Sequence, residues 1–111
     1  MTVISLPSRT DFDLIFNNPD ARFGTSDYLV LARKANGPQP CRIGFVTPKR
    51  KMKRAVDRNR FRRVVRECIR HHMPPIPTDI IIIARNTPET LHHSSINQDI
   101  KRSMSKIYRK L

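Results

Sequence analysis

Hydrophobic positions along this 111-residue chain change their period several times, and each change marks an element. Phe12, Ile15 and Phe16 recur at three- and four-residue spacing before Asn17, Asn18 and Pro19. That predicts a short amphipathic helix with Thr10 as its cap and Asp13 three residues on. Tyr28 to Ala32 and Ile43 to Val46 are apolar runs separated by Asn36, Gly37 and Pro38, which predicts two adjacent antiparallel strands. From about Ala55 to Arg70 the spacing becomes helical again. At roughly 100° per residue, Phe61, Val64, Val65, Cys68 and Ile69 fall within one arc of about 140°, the face to be buried. Pro74, Pro75 and Pro77 forbid continued helix, and Asp79 opens the run Ile80 to Ala84. Such β-branched continuity predicts a strand covered on both faces. Ser95 and Gln98 form a plausible capping box for a last helix carried by Ile96, Ile100, Met104, Ile107, Tyr108 and Leu111.

Strand 43–46, helix 55–70 and strand 80–84 form a strand-helix-strand unit, which makes a parallel pair possible. With the remaining elements this gives an α/β fold of the α+β two-layer sandwich kind, a mixed central sheet with helices covering one side. The length supports one domain, residues 1–111, with one modest core. The proline-rich breaks at 37–40 and 73–77 read as loops within it. No segment approaches the apolar length of a membrane span, and the opening MTVISLPSR has no basic region followed by an apolar stretch. A cytoplasmic address and no membrane partner are the resulting expectations. Cys41 and Cys68 are expected as reduced core thiols.

Charge changes the picture most. Of the chain's 22 Lys and Arg, half lie between Lys49 and Arg70, in KRKMKRAVDRNRFRRVVRECIR, where only Asp57 and Glu67 interrupt the positive charge. On the helix, Asn59, Arg60, Arg62, Arg63, Arg66 and Arg70 occupy the side opposite the apolar arc. Arg54, Arg58, Arg62, Arg66 and Arg70 follow one another at i+4 spacing, a like-charge ladder that repels itself unless a partner neutralises it. A solvated helix face usually intersperses Glu with Lys, so this one is read as a polyanion surface. Arginine predominates, and its guanidinium fork suits bidentate phosphate contacts and stacking on bases, which favours folded RNA over a membrane surface.

Chemistry within the protein itself is not expected. There is no Ser, His and Asp motif and no Gly-rich phosphate loop, so no catalytic residue is assigned. His71, His72, His92 and His93 are read as helix-end or loop residues, and Cys68 with His71 lacks the second ligand pair that a zinc site needs, so no metal ligand is assigned.

The segment KRAVDRNRFRRVVRE, centred on Arg58, Asn59 and Arg60, closely resembles the arginine-rich signature of the protein component of bacterial ribonuclease P. DFDLIF, YLVLARK, RIGFVTPKR and DIIIIAR around it extend the resemblance over about residues 6 to 110. The resemblance implies a left-handed strand-helix-strand crossover and a protein subunit that assists RNA-catalysed endonucleolytic removal of the 5′ leader from precursor tRNA. It implies that Lys49, Arg50, Lys53, Arg54, Arg58, Asn59, Arg60, Arg62, Arg63 and Arg66 bind the catalytic RNA. It implies further that Phe12, Phe16, Tyr28 and Val30 line a cleft between the first helix and the sheet for the single-stranded leader, with Lys49 and Arg50 at its edge. The chain departs from many relatives in having Ala32 where an aromatic often faces that cleft. Magnesium is expected to be held mainly by the RNA, and no DNA partner is expected. Composition by itself leaves open a ribosomal or assembly protein that grips structured RNA, and a nuclease acting without RNA.

Overall fold

The computed structural model describes residues 3–6, 9–24, 28–35, 41–50, 52–74, 76–85 and 93–111, with side chains for all of these except 3, 4 and 93–97. The turn expected at Asn36 to Pro38, His92 and the side-chain cap at Ser95 lie outside the described residues.

Eight elements follow in order: β1 (Val3–Ser5), α1 (Arg9–Asn17), β2 (Ala21–Gly24), β3 (Tyr28–Lys34), β4 (Cys41–Val46), α2 (Ala55–Arg70), β5 (Thr78–Ala84) and α3 (His93–Lys110). Thr10 lies inside α1, so the helix begins before the cap the sequence suggested. The strands form one mixed sheet in the order β1-β4-β5-β3-β2. β4 and β5 are parallel, with Ile43 opposite Ile80, as the strand-helix-strand pattern allowed. β3 and β4 are not neighbours, contrary to the hairpin expected between them. β5 separates them and pairs antiparallel with β3, setting Val30 opposite Ile82. The cause is burial: Ile80, Ile81 and Ile82 are each fully buried, which only a central strand provides. Each such side chain withdrawn from water contributes roughly 1.5–3 kcal/mol, so leaving β5 at an edge would forfeit more than any hairpin turn supplies.

Strand alternation sends successive residues to opposite faces. Val30 and Ala32 of β3, Cys41 and Ile43 of β4, and Ile80 and Ile82 of β5 face the main core, which α2 and α3 close with Phe61, Val65, Ile69, Ile100, Met104 and Ile107. Leu31, Ile81 and Leu6 face the other way and meet Ile15, with Phe12, Leu29, Val46 and Ile83 around them. The α+β class is therefore as expected, but the helices do not all cover one side. α1 packs on the second face, because its Ile15 is buried against the alternate residues of β3 and β5.

Two contacts fix α1 there. Gly44 of β4 leaves room for the Phe12 ring: a Cβ at position 44 would lie 2.6 Å from Phe12 Cε1 and 2.8 Å from Leu6 Cδ1. Arg42, two residues earlier on the same face, donates to both carboxylate oxygens of Asp79 at 2.8 and 2.7 Å, and reaches Asp11 of α1 at 3.5 Å. The hydrogen bonds that Arg42 donates to Asp79 raise its pKa above the ordinary value. Both cysteines are free and buried. Burial, reinforced by the charge of Asp79, pushes the Cys41 thiol up to about 12.

Gly44→Ala should destabilise the fold by about 1–3 kcal/mol through overpacking. Thermal denaturation of Gly44→Ala alone and with Phe12→Ala checks the cause: the second change should recover part of the loss if the ring is what the methyl meets. The raised Cys41 pKa gives a pH dependence with a definite sign. Its native form holds the proton more tightly than the unfolded chain, so this contribution is full below 9.0 and is lost as pH rises toward about 12. Melting temperatures should fall across that window, and Cys41→Ala should flatten the fall.

Candidate nucleic-acid interface

α2 is anchored before it begins. Met52, the one apolar residue within KRKMKR, is fully buried in the main core, and its N–H donates to Pro48 O at 2.9 Å. Arg58 then donates from Nη1 to Met52 O and Lys53 O, both at 2.9 Å. These bonds fix the turn from β4 into α2, which presents Lys49, Arg50 and Lys53 as exposed side chains beside the helix. Arg54 stands at the N-cap with no side-chain cap, so the positive end of the helix dipole lies beside this basic turn.

Phe61, Val64, Val65, Cys68 and Ile69 are buried, the arc that helical periodicity specified. The opposite side carries the arginines in two groups. Every member of the i+4 ladder is tied locally. Arg54 approaches Asp57 at 3.9 Å, and Arg58 holds the preceding turn. Arg62 donates to Thr47 Oγ1 at 3.1 Å and to Asn59 Oδ1. Arg66 donates to Ser5 Oγ at 3.0 Å and lies over the Phe45 ring, 5.8 Å from its centroid. Arg70 pairs with Glu67 at 3.0 Å, and Glu67 also meets His71 Nε2 at 3.0 Å. Arg60 and Arg63 lie off the ladder and are exposed, with no hydrogen bond or ion pair among the described residues.

The RNR triplet is thus not one contact unit. Arg58 turns back to the chain, Asn59 orients Arg62, and Arg60 points to solvent. The tethers use one or two of the five donors on each guanidinium, so the remaining N–H groups stay available for phosphate oxygens in fixed positions. Arg66 Nε is buried without a partner among the described residues, so the outward Nη groups are the donors that Arg66 offers. Asn59, Arg62, Arg63, Arg66, Glu67 and Arg70 line a cleft of about 380 Å³ along the helix. Phe45, Thr47 and Ser5, which position two of these arginines, were not singled out by sequence. They become visible only once β1 and β4 lie side by side beneath α2. Met52 did leave a signal, as a lone apolar residue in a basic run.

The second expected surface is redistributed. Tyr28 and Val30 are buried in the main core at 3% and 0% exposure, and Phe12 and Phe16 belong to the helix on the other face. These four residues cannot share a cleft, because odd and even positions of β3 point to opposite sides of the sheet. Ala32 likewise lies in the main core, and Leu29 and Leu31 are the β3 residues turned toward α1. Phe16 is 41% exposed, one turn after Phe12 on α1, while Leu29, Val46 and Ile83 are half-buried around Ile15 and Phe12.

His71 and His72, just past the end of α2, diverge. His71 turns to Glu67, while His72 meets Ser105 Oγ at 3.2 Å and its carbonyl accepts from Tyr108 at 2.8 Å. Among the described residues no cluster of three His, Cys, Asp or Glu side chains is placed to hold a metal ion.

A family model described as Ribonuclease P matches residues 3–108. The ribonuclease P protein component of Marinomonas sp. is 31% identical over 96% of this chain and 81% of its own length. That of Pseudoalteromonas atlantica is 32% identical over 97% and 86%. Among solved structures, the ribonuclease P protein from Thermotoga maritima superposes with a TM-score of 0.67 at 26% identity, covering 96% of each chain.

Substitutions on α2 should separate the two groups of arginines. Arg63→Ala should leave thermal stability within about 0.5 kcal/mol, as for an exposed residue without partners. Arg66→Ala should cost about 1 kcal/mol or more, because it removes a hydrogen bond and the stacking on Phe45. Equal melting temperatures for the two variants would contradict the assigned tethers.

Proposed function

The chain belongs to the ribonuclease P protein family, and on that premise we propose that the arginine face of α2 holds the backbone of the catalytic RNA while the α1 edge receives the leader of precursor tRNA. The observation that carries this reading is the pair Arg60 and Arg63, exposed and without partners among the described residues, beside arginines already oriented by Thr47, Asn59, Ser5 and Glu67. Self-repulsion on such a face is relieved by phosphates, and pre-oriented guanidinium groups lose less freedom on binding them.

On the α1 side, Phe16 with the edges of Phe12, Leu29, Val46 and Ile83 offers an apolar strip on which unpaired bases can stack. Tyr28 and Val30 take no part. The cleavage chemistry is assigned to the RNA. Magnesium requires several oxygen ligands, and the one carboxylate lining the arginine cleft, Glu67, is engaged by Arg70 and His71. These residues do not fit the ion, and in this reading the RNA holds it while the protein contributes electrostatics and substrate positioning. No helix among the described residues is long and apolar enough to cross a membrane, and we assign the cytoplasm as the place where the protein meets its RNA partners.

The direct test is cleavage of precursor tRNA by a bacterial ribonuclease P RNA at near-physiological magnesium, with and without this protein. Correctly placed, stimulated cleavage supports the reading, and tight RNA binding without stimulation favours a general RNA-binding module instead. Arg60→Ala with Arg63→Ala should flatten the dependence of catalytic-RNA affinity on salt by about one logarithmic unit for each phosphate no longer neutralised. Phe16→Ala should lower precursor affinity only for substrates that carry a leader, leaving catalytic-RNA affinity nearly intact. Equal losses with leaderless tRNA would remove Phe16 from the leader site.

A further inference from the structure

α3 carries a second basic ridge that the arginine signature does not include. Lys101, Arg102, Lys106, Arg109 and Lys110 are all exposed, and Asp99 is the one acidic residue between Gln98 and Lys110. Among the described residues none of these five forms an ion pair, although at α2 next to them Arg54 pairs with Asp57 and Arg70 with Glu67. A solvated helix of this length would be expected to alternate charges at i+4 spacing.

The placement of the ridge gives it meaning. Lys101 is near enough to Cys68 for its charge to act on the thiol, and Ser105 meets His72, so α3 runs in the same direction as α2 and packs beside its C-terminal end. Both helices lie on the same face of the sheet. Packed helices stand about 8–10 Å apart, so beside the C-terminal end of α2 the molecule presents a second basic ridge on the same side, about 14 Å long from Lys101 to Lys110 at 1.5 Å per residue. Two of the cations are held at the outer margin: Lys106 Nζ sits 5.0 Å from the Phe23 ring centroid, and Lys110 donates to Arg22 O at 3.2 Å. Lys101 and Arg102, with Gln98 and Ser105, line a shallow recess on the ridge itself.

We infer that the α3 ridge is a second phosphate-binding surface for the same catalytic RNA, which continues across from α2 onto α3. The partner follows from charge complementarity and adjacency: an RNA seated on the α2 arginines that runs on past Arg70 meets this row of cations next. The inference rests on the reading of the chain as a catalytic-RNA partner, and its test is separable from that reading.

The experiment measures binding of the full-length protein carrying Lys101→Gln, Arg102→Gln and Arg109→Gln to a bacterial ribonuclease P RNA over a range of salt. Lys106 and Lys110 are kept because they also contact β2. The slope of log affinity against log salt should fall by about two to three units, with affinity at low salt reduced at least tenfold. Unchanged slope and affinity would overturn the inference and leave α3 a solvated face. So would a loss confined to precursor tRNA binding by the assembled complex, which would assign the ridge to the substrate. If the triple variant does not fold, Arg109→Gln alone decides between the same outcomes, through a slope lowered by about one unit or not at all. The α2 pair Arg60→Ala and Arg63→Ala, measured in parallel, separates the two ideas: a normal slope there with a reduced slope in the α3 variant would refute the α2 reading and retain this one.

Discussion

Everything this molecule presents to a partner depends on α2 being held down by one side while the other side repels itself. The apolar arc from Phe61 to Ile69 is buried against the sheet, and Met52 pins the turn that leads into the helix. Burial of these side chains opposes the Coulomb cost of packing arginines at i+4 spacing, a cost that water and salt screen only in part. The local tethers extend this compromise. Thr47, Asn59 and Ser5 neutralise no charge and Glu67 only that of Arg70, but they fix where each guanidinium points. The free protein is therefore a pre-arranged cationic surface, and part of the ordering cost of binding is met at folding.

The sheet divides the work by parity. Residues of β3, β4 and β5 that face α2 and α3 form the larger core, which carries the basic helices on its outside. Their alternate neighbours face α1, where Gly44 admits the Phe12 ring and Arg42 links Asp79 with Asp11. A one-residue shift of β3 would exchange the two sets, so the register of β3 against β5 also determines which residues can approach a ligand on the α1 side.

Helix periods and apolar runs made most of the fold legible. The limits of α2 follow from its apolar arc and from the prolines after it, and the central place of β5 is implicit in its run of isoleucines. β1 and β2 were missed because Val3–Ser5 and Ala21–Gly24 are too short to show a period, and they exist through pairing with β4 and β3. The expected β3–β4 hairpin was wrong for a related reason. Turn residues between two apolar runs report the reversal of the chain, but not whether a later strand inserts between them. At the site, the basic character of α2 was legible, whereas the difference between tethered and free arginines was not. That difference depends on Thr47, Ser5 and Phe45, contributed by other elements. Tyr28 and Val30 were placed on the α1 side although strand alternation puts them in the main core, because sequence alone does not say which parity of β3 faces which layer.

The central claim is that α2 stores like-charge repulsion that phosphate relieves. It is tested most directly by the melting temperature of the free protein, and of the protein bound to ribonuclease P RNA, as salt is raised. Screening should raise the melting temperature of the free protein, and the additional stabilisation by RNA should be largest at low salt and shrink steadily as salt is added. A free-protein melting temperature that falls or stays level with salt, together with an RNA effect independent of salt, would contradict that claim.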